Sequence, residues 1–157
     1  THYIAEASPQ MYRELQAFVV DHLLEKGYDA TIDAVCWMQG ESDSFSDKNG
    51  RDYEKHLNNF IKDIRKEFKD YTSLDGIAFV DAYIADNPVY WVYCDLVNNS
   101  KKAVADSSEM NVVIDTVSHG LTCENEPEDS PDMAHYDSLS EIKLGQLFAD
   151  EVIKFLD

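Results

Sequence analysis

The chain has 157 residues, of which 44% are hydrophobic and 11% aromatic, and its 13 Lys and Arg face 31 Asp and Glu for a net charge of −18. That length suits one domain with a real core and is short for two, and the apolar content excludes a disordered chain. The acidity argues against non-specific binding to nucleic acid or to an anionic membrane surface, and no apolar run approaches the ~20 residues of a membrane helix. Thr1 in place of an initiator Met, with no signal-peptide pattern, leads to the expectation of upstream processing or truncation. Cys36, Cys94 and Cys123 form neither a C-x-x-C metal pair nor an even disulfide framework. Cys36 and Cys94 stand in apolar surroundings and read as packed thiols.

In chain order, Ser8-Pro9 is a helix start, with serine as cap and proline at the first helical position. Met11, Leu15, Phe18, Val19 and Leu23 recur at helical spacing, and Gly27 ends the helix. Residues 32–38 read as a strand covered on both faces. Tyr53, Leu57, Phe60, Ile61, Ile64 and Phe68 form the cleanest amphipathic stripe, predicting a helix over roughly 50–69. "GIAFVDA" (76–82) is the second strand, residues 92–106 a more polar helix, and "MNVVID" (110–115) the third strand. After a long polar loop, Ser138 with Glu141 has the pattern of a capping box. Leu144, Leu147, Phe148, Val152 and Phe155 give the last helix its buried face.

Strands separated by helices of this length imply parallel pairing, and continuous apolar strands agree, since a parallel sheet is covered on both sides. The expected architecture is therefore α/β. Three strands make a small sheet for so many helices, as if one were missing at the front.

Two stretches carry chemistry. In "AVCWMQGESDS" (34–44) the apolar run passes without a turn into Gln39, Gly40 and Glu41. Ligands of open parallel sheets bind at the carboxyl ends of strands, where this cluster falls. Gly40 permits close backbone approach, and the Gln39 amide can donate to a developing negative oxygen; a strand end that merely ties down its loop is the alternative. In "DSPDMAHYDSLSEIKLG" (129–145) the three-residue spacing of Asp132 and His135 lets the carboxylate hold one imidazole nitrogen while the other takes a proton. A solvated loop histidine is the alternative. Asp115 and His119 compete for the same role. Asp129, Asp132, His135 and Asp137 could crowd a cation, though that spacing is a weak metal signal. His2, His22 and His56 read as structural or solvated.

Together these stretches resemble a known family. "CWMQGESD" is similar to the W-x-Q-G-E-S-D block of the sialate O-acetylesterase-like and acetylxylan esterase branch of the SGNH hydrolases, and "DMAHYDSLSEIKLGQLFADEV" resembles its closing D-x-x-H block. The resemblance runs from Ile32 to the end. It implies a three-layer, flavodoxin-like parallel sheet and a serine-type O-acetylesterase that acts on acetylated glycans, such as xylan or sialic acid, through an acyl-enzyme without a metal or other cofactor. It also implies roles: Asp132 orients, His135 is base and then acid, and Gln39 with Gly40 and Glu41 contributes to the oxyanion hole and substrate binding. Glu41 and Asp43 would brace the loop. The pattern departs in one respect, because the family's nucleophilic serine block near the amino terminus has no counterpart before Gln39. The chain is then expected to be the carboxyl-terminal part of a single esterase domain, inactive unless the amino-terminal segment is supplied.

Two other readings stand beside this one. Ser42 in "GESDS" could be the nucleophile of a complete small esterase. Alternatively the chain could be a non-catalytic carbohydrate-binding domain using Trp37, Tyr90 and Trp91 as stacking platforms. The overall acidity favours neutral acetylated glycans over anionic sialic acids.

Overall fold

The apolar stripe of Tyr53, Leu57, Phe60, Ile61 and Ile64 needs a surface to cover, and three parallel strands supply it. In a computed structural model that describes residues 20–72 and 76–156, the elements are α1 (Asp21–Glu25), β1 (Ala34–Trp37), a 3-10 turn (Asp43–Phe45), α2 (Asp47–Glu67), β2 (Ala78–Ala82), α3 (Cys94–Asp106), β3 (Asn111–Ile114) and α4 (Ser138–Leu156). The expected helix start at Ser8 lies outside the described residues. Its expected stop is visible at Gly27, whose φ of 82° suits only a residue without Cβ.

The sheet has the order β1-β2-β3 and is parallel throughout, with Val35 beside Phe79 and Val80 beside Val112. The chain is thus α/β, with helices flanking a parallel sheet. One core cluster joins the α2 stripe to Phe79 of β2 and to Cys94, Val97 and Val104 of α3. A second, containing Val80, Ile114, Tyr136 and Leu144, lies under α4. β2 is buried at all five positions and is the centre of both clusters. Ser46 caps α2 by accepting the Asn49 N–H, and Gly50 lets α3 approach, because a Cβ there would meet Leu96 Cβ at 3.0 Å.

Three sequence expectations need correction. β1 is not covered on both faces: Cys36 is exposed, and Ala34, Val35 and Trp37 are only half-buried. The reason is topological, since no strand lies outside β1 among the described residues and it forms an edge of the sheet. Cys36 is accordingly not a packed thiol, whereas Cys94 is buried as expected. Nor does Ser138 form a capping box with Glu141. Ser138 is the first helical residue, and both its hydroxyl (2.5 Å) and its N–H (2.8 Å) donate to the Glu126 carboxylate from the preceding loop.

Two charged side chains that the hydrophobic pattern does not anticipate, half-buried Arg65 and buried Lys101, bind the ends of the strands. Arg65 of α2 donates to the carbonyls of Ile77 and Met110 and to Asn111 Oδ1, clasping the amino ends of β2 and β3. At the other end of the sheet, Lys101 of α3 is 1% exposed and donates to Asp81 Oδ1 and to the Ala82 carbonyl, each at 2.7 Å. Burial pushes the Asp81 carboxyl up to about 6, and the Lys101 ammonium pulls it partly back. Removing one member of such a pair strands the other in a dry interior.

Lys101→Met is therefore expected to lower unfolding stability by about 3–5 kcal/mol at pH 8. The loss should shrink toward pH 5, where the abandoned Asp81 binds a proton in the folded chain before it does in the unfolded one. Urea midpoints at the two pH values measure this, and a loss that does not depend on pH would contradict the account.

Candidate active site

Three loops leave the carboxyl ends of the three strands, and the candidate residues lie on the first and last of them. The first begins at Gln39, directly after β1. Gly40 has φ of 144°, and a Cβ there would come within 2.6 Å of Val97 Cγ1 and 3.2 Å of the Tyr53 hydroxyl. Only glycine fits. Tyr53, 1% exposed on α2, donates its hydroxyl to the Gln39 carbonyl at 2.6 Å. The Gln39–Gly40 peptide is thereby held from beneath, and in a trans peptide the N–H points away from a carbonyl so anchored. The loop then closes on itself: Ser44 N–H donates to the Gly40 carbonyl, Ser44 Oγ to the Glu41 carbonyl, and Ser44 O accepts from Tyr93 N–H at the start of α3.

The Gln39 side chain is half-buried, and its Nε2 is 3.4 Å from Asp43 Oδ2. Asp43 is 1% exposed, so it acts as an internal brace. An amide nitrogen carries two hydrogens, and the Asp43 contact uses one. The other can meet an incoming oxygen. Ser42 is exposed and caps the 3-10 turn without a side-chain hydrogen bond; among the described residues no hydrogen bond joins it to His135.

The third loop, 115–137, carries the imidazole. His135 Nδ1 lies 2.6 Å from Asp132 Oδ2, and the other carboxylate oxygen, Oδ1, accepts the Ala134 N–H. This is the arrangement that three-residue spacing in a turn produces. The next residue, Tyr136, is buried and anchors the turn, its hydroxyl donating to Thr116 Oγ1 at 2.9 Å and lying 3.3 Å from the Tyr83 carbonyl. His135 therefore hangs from the ends of β2 and β3, with 82% of its side chain exposed. The hydrogen bond to Asp132 raises the His135 pKa, and the Glu41 carboxylate across the site adds to the rise. The same hydrogen bond lowers Asp132. With a carboxylate on Nδ1, that nitrogen carries the proton and Nε2 is left as the acceptor. Because the strands are parallel, the Gln39–Gly40–Glu41 loop after β1 and the Asp132–His135 turn in the loop after β3 leave the same end of the sheet.

The competing assignments find no such geometry. Asp115 accepts the Ser118 N–H with its carboxylate, and His119 meets it only through backbone groups. Asp137 accepts from Thr122 and from the backbone and side chain of Asn125, and no group of three or more His, Cys, Asp or Glu among the described residues is arranged for a metal. Burial raises the thiols of Cys94 and Cys123, the latter to about 11, and partial desolvation raises that of the exposed Cys36, which suppresses thiolate formation. Trp37 packs on Phe60 with ring centroids 4.7 Å apart and belongs to the core. Trp91 also packs into the core, while Tyr90 is 44% exposed.

Tyr53, Asp81 and Lys101 were not singled out as site residues from the sequence. A signal existed for the last two. Asp81 interrupts an apolar strand, and Lys101 falls on the Cys94–Val97–Val104 stripe of α3, where a solvated lysine has no place.

The titration of His135, followed by NMR, should run above the ordinary histidine range, and Asp132→Asn should bring it down. An unchanged midpoint in the variant would mean that the pair does not persist in solution.

A protein-family model described as a carbohydrate esterase, sialic acid-specific acetylesterase, matches residues 6–154. No curated protein and no solved structure matches the chain. The matched span takes in both the Gln39 loop and the Asp132–His135 turn, and the chain belongs to this family of sialic acid-specific acetylesterase carbohydrate esterases.

Proposed function

We propose that the protein is a serine-type O-acetylesterase that removes acetyl groups from glycans, with His135 as general base and then acid. The observation that carries this reading is the 2.6 Å contact of Asp132 with His135 Nδ1, held at the end of the sheet where Gln39 and Gly40 lie. Asp132 fixes the tautomer, so Nε2 accepts the proton of a serine hydroxyl as it attacks the acetyl carbonyl. The tetrahedral oxyanion is met by the Gln39 amide and the Gly40 N–H. His135 returns the proton to the departing sugar hydroxyl. A water molecule, deprotonated by the same imidazole, then releases acetate from the acyl-enzyme. No cofactor takes part in these steps.

The nucleophile in this reading comes from a segment that adds beside β1, the edge strand among the described residues. An edge strand with a half-buried apolar face accepts another strand readily. A serine at the carboxyl end of such a strand would stand beside Gln39. The chain then acts as the carboxyl-terminal part of the esterase domain and requires that segment for turnover. Ser42 is the alternative nucleophile, supported by its exposure on the same loop and by a hydroxyl that makes no capping hydrogen bond to the 3-10 turn.

In the full-length protein, His135→Ala should lower p-nitrophenyl acetate hydrolysis by about 10³-fold or more, and near-normal activity would refute the base assignment. Ser42→Ala separates the two nucleophiles: the preferred reading expects activity within about twofold of the parent, and only the alternative expects a dead enzyme. Activity that required zinc and vanished with a chelator would replace both with a metal mechanism. Because His135 must be neutral to act as base, its raised pKa should place the acid limb of the pH–rate profile above the ordinary histidine range, and Asp132→Asn should move the residual limb to lower pH.

A further inference from the structure

Asp137 stands immediately before α4, two residues after the imidazole, and the mechanism gives it no part. It is 6% exposed, and its carboxylate accepts hydrogen bonds from four donors of the turn 122–126. Oδ1 takes the Asn125 N–H at 3.1 Å and the Glu126 N–H at 3.0 Å. Oδ2 takes the Asn125 side-chain amide at 2.7 Å and the Thr122 hydroxyl. The Asp137 N–H returns a bond to the Thr122 carbonyl at 2.9 Å. Two successive backbone N–H groups on one oxygen, with an amide and a hydroxyl on the other, suit a full negative charge. The Thr122 hydroxyl above all, with Asn125 and Glu126 after it, holds the Asp137 carboxyl below its usual range against the burial that raises it.

What this carboxylate holds reaches the imidazole through Glu126. The Glu126 carbonyl accepts the Asp132 N–H at 2.8 Å, and its carboxylate takes the N–H and hydroxyl of Ser138. Residues 126–138 thus form a loop closed at its neck, with the Asp132–His135 pair inside it. On one side of His135, Tyr136 pins the loop to the strand ends. On the other, the backbone of Asp132 rests on Glu126 and, through it, on Asp137. Packing does not place the Asp132 carboxylate, because half of its side chain is exposed. Its backbone must, and in proton transfer a misplacement of about 1 Å is worth about 10²-fold in rate.

We propose that Asp137 is a positioning residue of the Asp132–His135 pair, its carboxylate gathering the 122–126 turn so that Glu126 holds Asp132 within reach of His135 Nδ1. Its bearing on the reaction rests on the esterase reading, in which that contact fixes the tautomer of the base. Turned either way, an amide at 137 sets its NH2 group against another donor: Asn125 Nδ2 on one side, two backbone N–H groups on the other. The turn then loses its grip with almost no change in side-chain volume.

The test uses the full-length protein with its Asp137→Asn and Thr122→Val variants, p-nitrophenyl acetate as substrate, and NMR titration of His135. Asp137→Asn should lower kcat about 10–100-fold, leave KM within about twofold, and shift the His135 midpoint down. Thr122→Val removes one donor but keeps the Asp137 charge, so it should move kcat and the midpoint the same way by less. Because Asp137 acts through Asp132, Asp137→Asn should move the midpoint no further in an Asp132→Asn background. A further fall there would mean that Asp137 acts on the imidazole by its own charge, and the proposal fails. A loss of kcat with the midpoint unmoved, or a moved midpoint with parental kcat, would equally overturn it. If Asp137→Asn does not fold, judged by circular dichroism, Thr122→Val carries the same two readouts. If the parent protein hydrolyses no ester, the esterase reading fails and the titration decides alone. A lowered midpoint then upholds Asp137 as the support of the pair, and an unmoved one refutes it.

Discussion

The hydroxyl of Tyr53 on the carbonyl of Gln39 is the contact on which the arrangement of the site depends. Immediately after β1 the chain must turn out of the sheet without a buried carbonyl left unpaired, and the phenol from α2 satisfies it. The Lys101 ammonium lies 5.8 Å from the centre of the same ring while bound to Asp81 and Ala82 at the end of β2. Thus α2, α3 and two strand ends meet at one point beneath Gly40. A buried charge pair is weak evidence for stability, but its geometry is demanding, and here it locks the depth at which α3 sits against the sheet. Val97, on the same helix, is the side chain that leaves Gly40 no room for a Cβ.

The two loops of the candidate site are built on different physical terms. The Gln39 loop is held from within, by buried Asp43 and Ser44 and by backbone bonds that close over three residues. The His135 turn is open to water, and its order comes from a neighbour: Tyr136 is buried and bonded to both strand ends, so His135 needs no burial of its own to be placed. An exposed imidazole keeps its proton traffic with solvent, while the single Asp132 contact sets its tautomer and raises its basicity. The acids around it deepen a field already negative across the molecule.

Much of the architecture was legible because it rests on periodicity. The α2 stripe, the three strands and the polar α3 are observed within a few residues of where the pattern placed them, since the burial of one face is recorded as spacing. β1 was misread because a continuous apolar run looks the same whether the strand is central or at an edge. The cap of α4 was misread for a similar reason. Ser138 and Glu141 have the right spacing, yet Glu126, twelve residues from Ser138, occupies the position that the local motif would have filled. The Asp132–His135 pair was legible because both partners lie within one turn.

By itself, the sequence determined the α/β order, the buried stripes, the acidity of the loops and the local pairing of Asp132 with His135, because each depends on residues close together along the chain. Only the tertiary structure decided that Tyr53 and Val97 frame Gly40, that Lys101 pairs with Asp81, that β1 is an edge among the described residues, and that Phe45 lies against Trp91. Those contacts join residues on different elements, and which elements meet is settled by how helices pack on the sheet, a choice that no short-range spacing encodes.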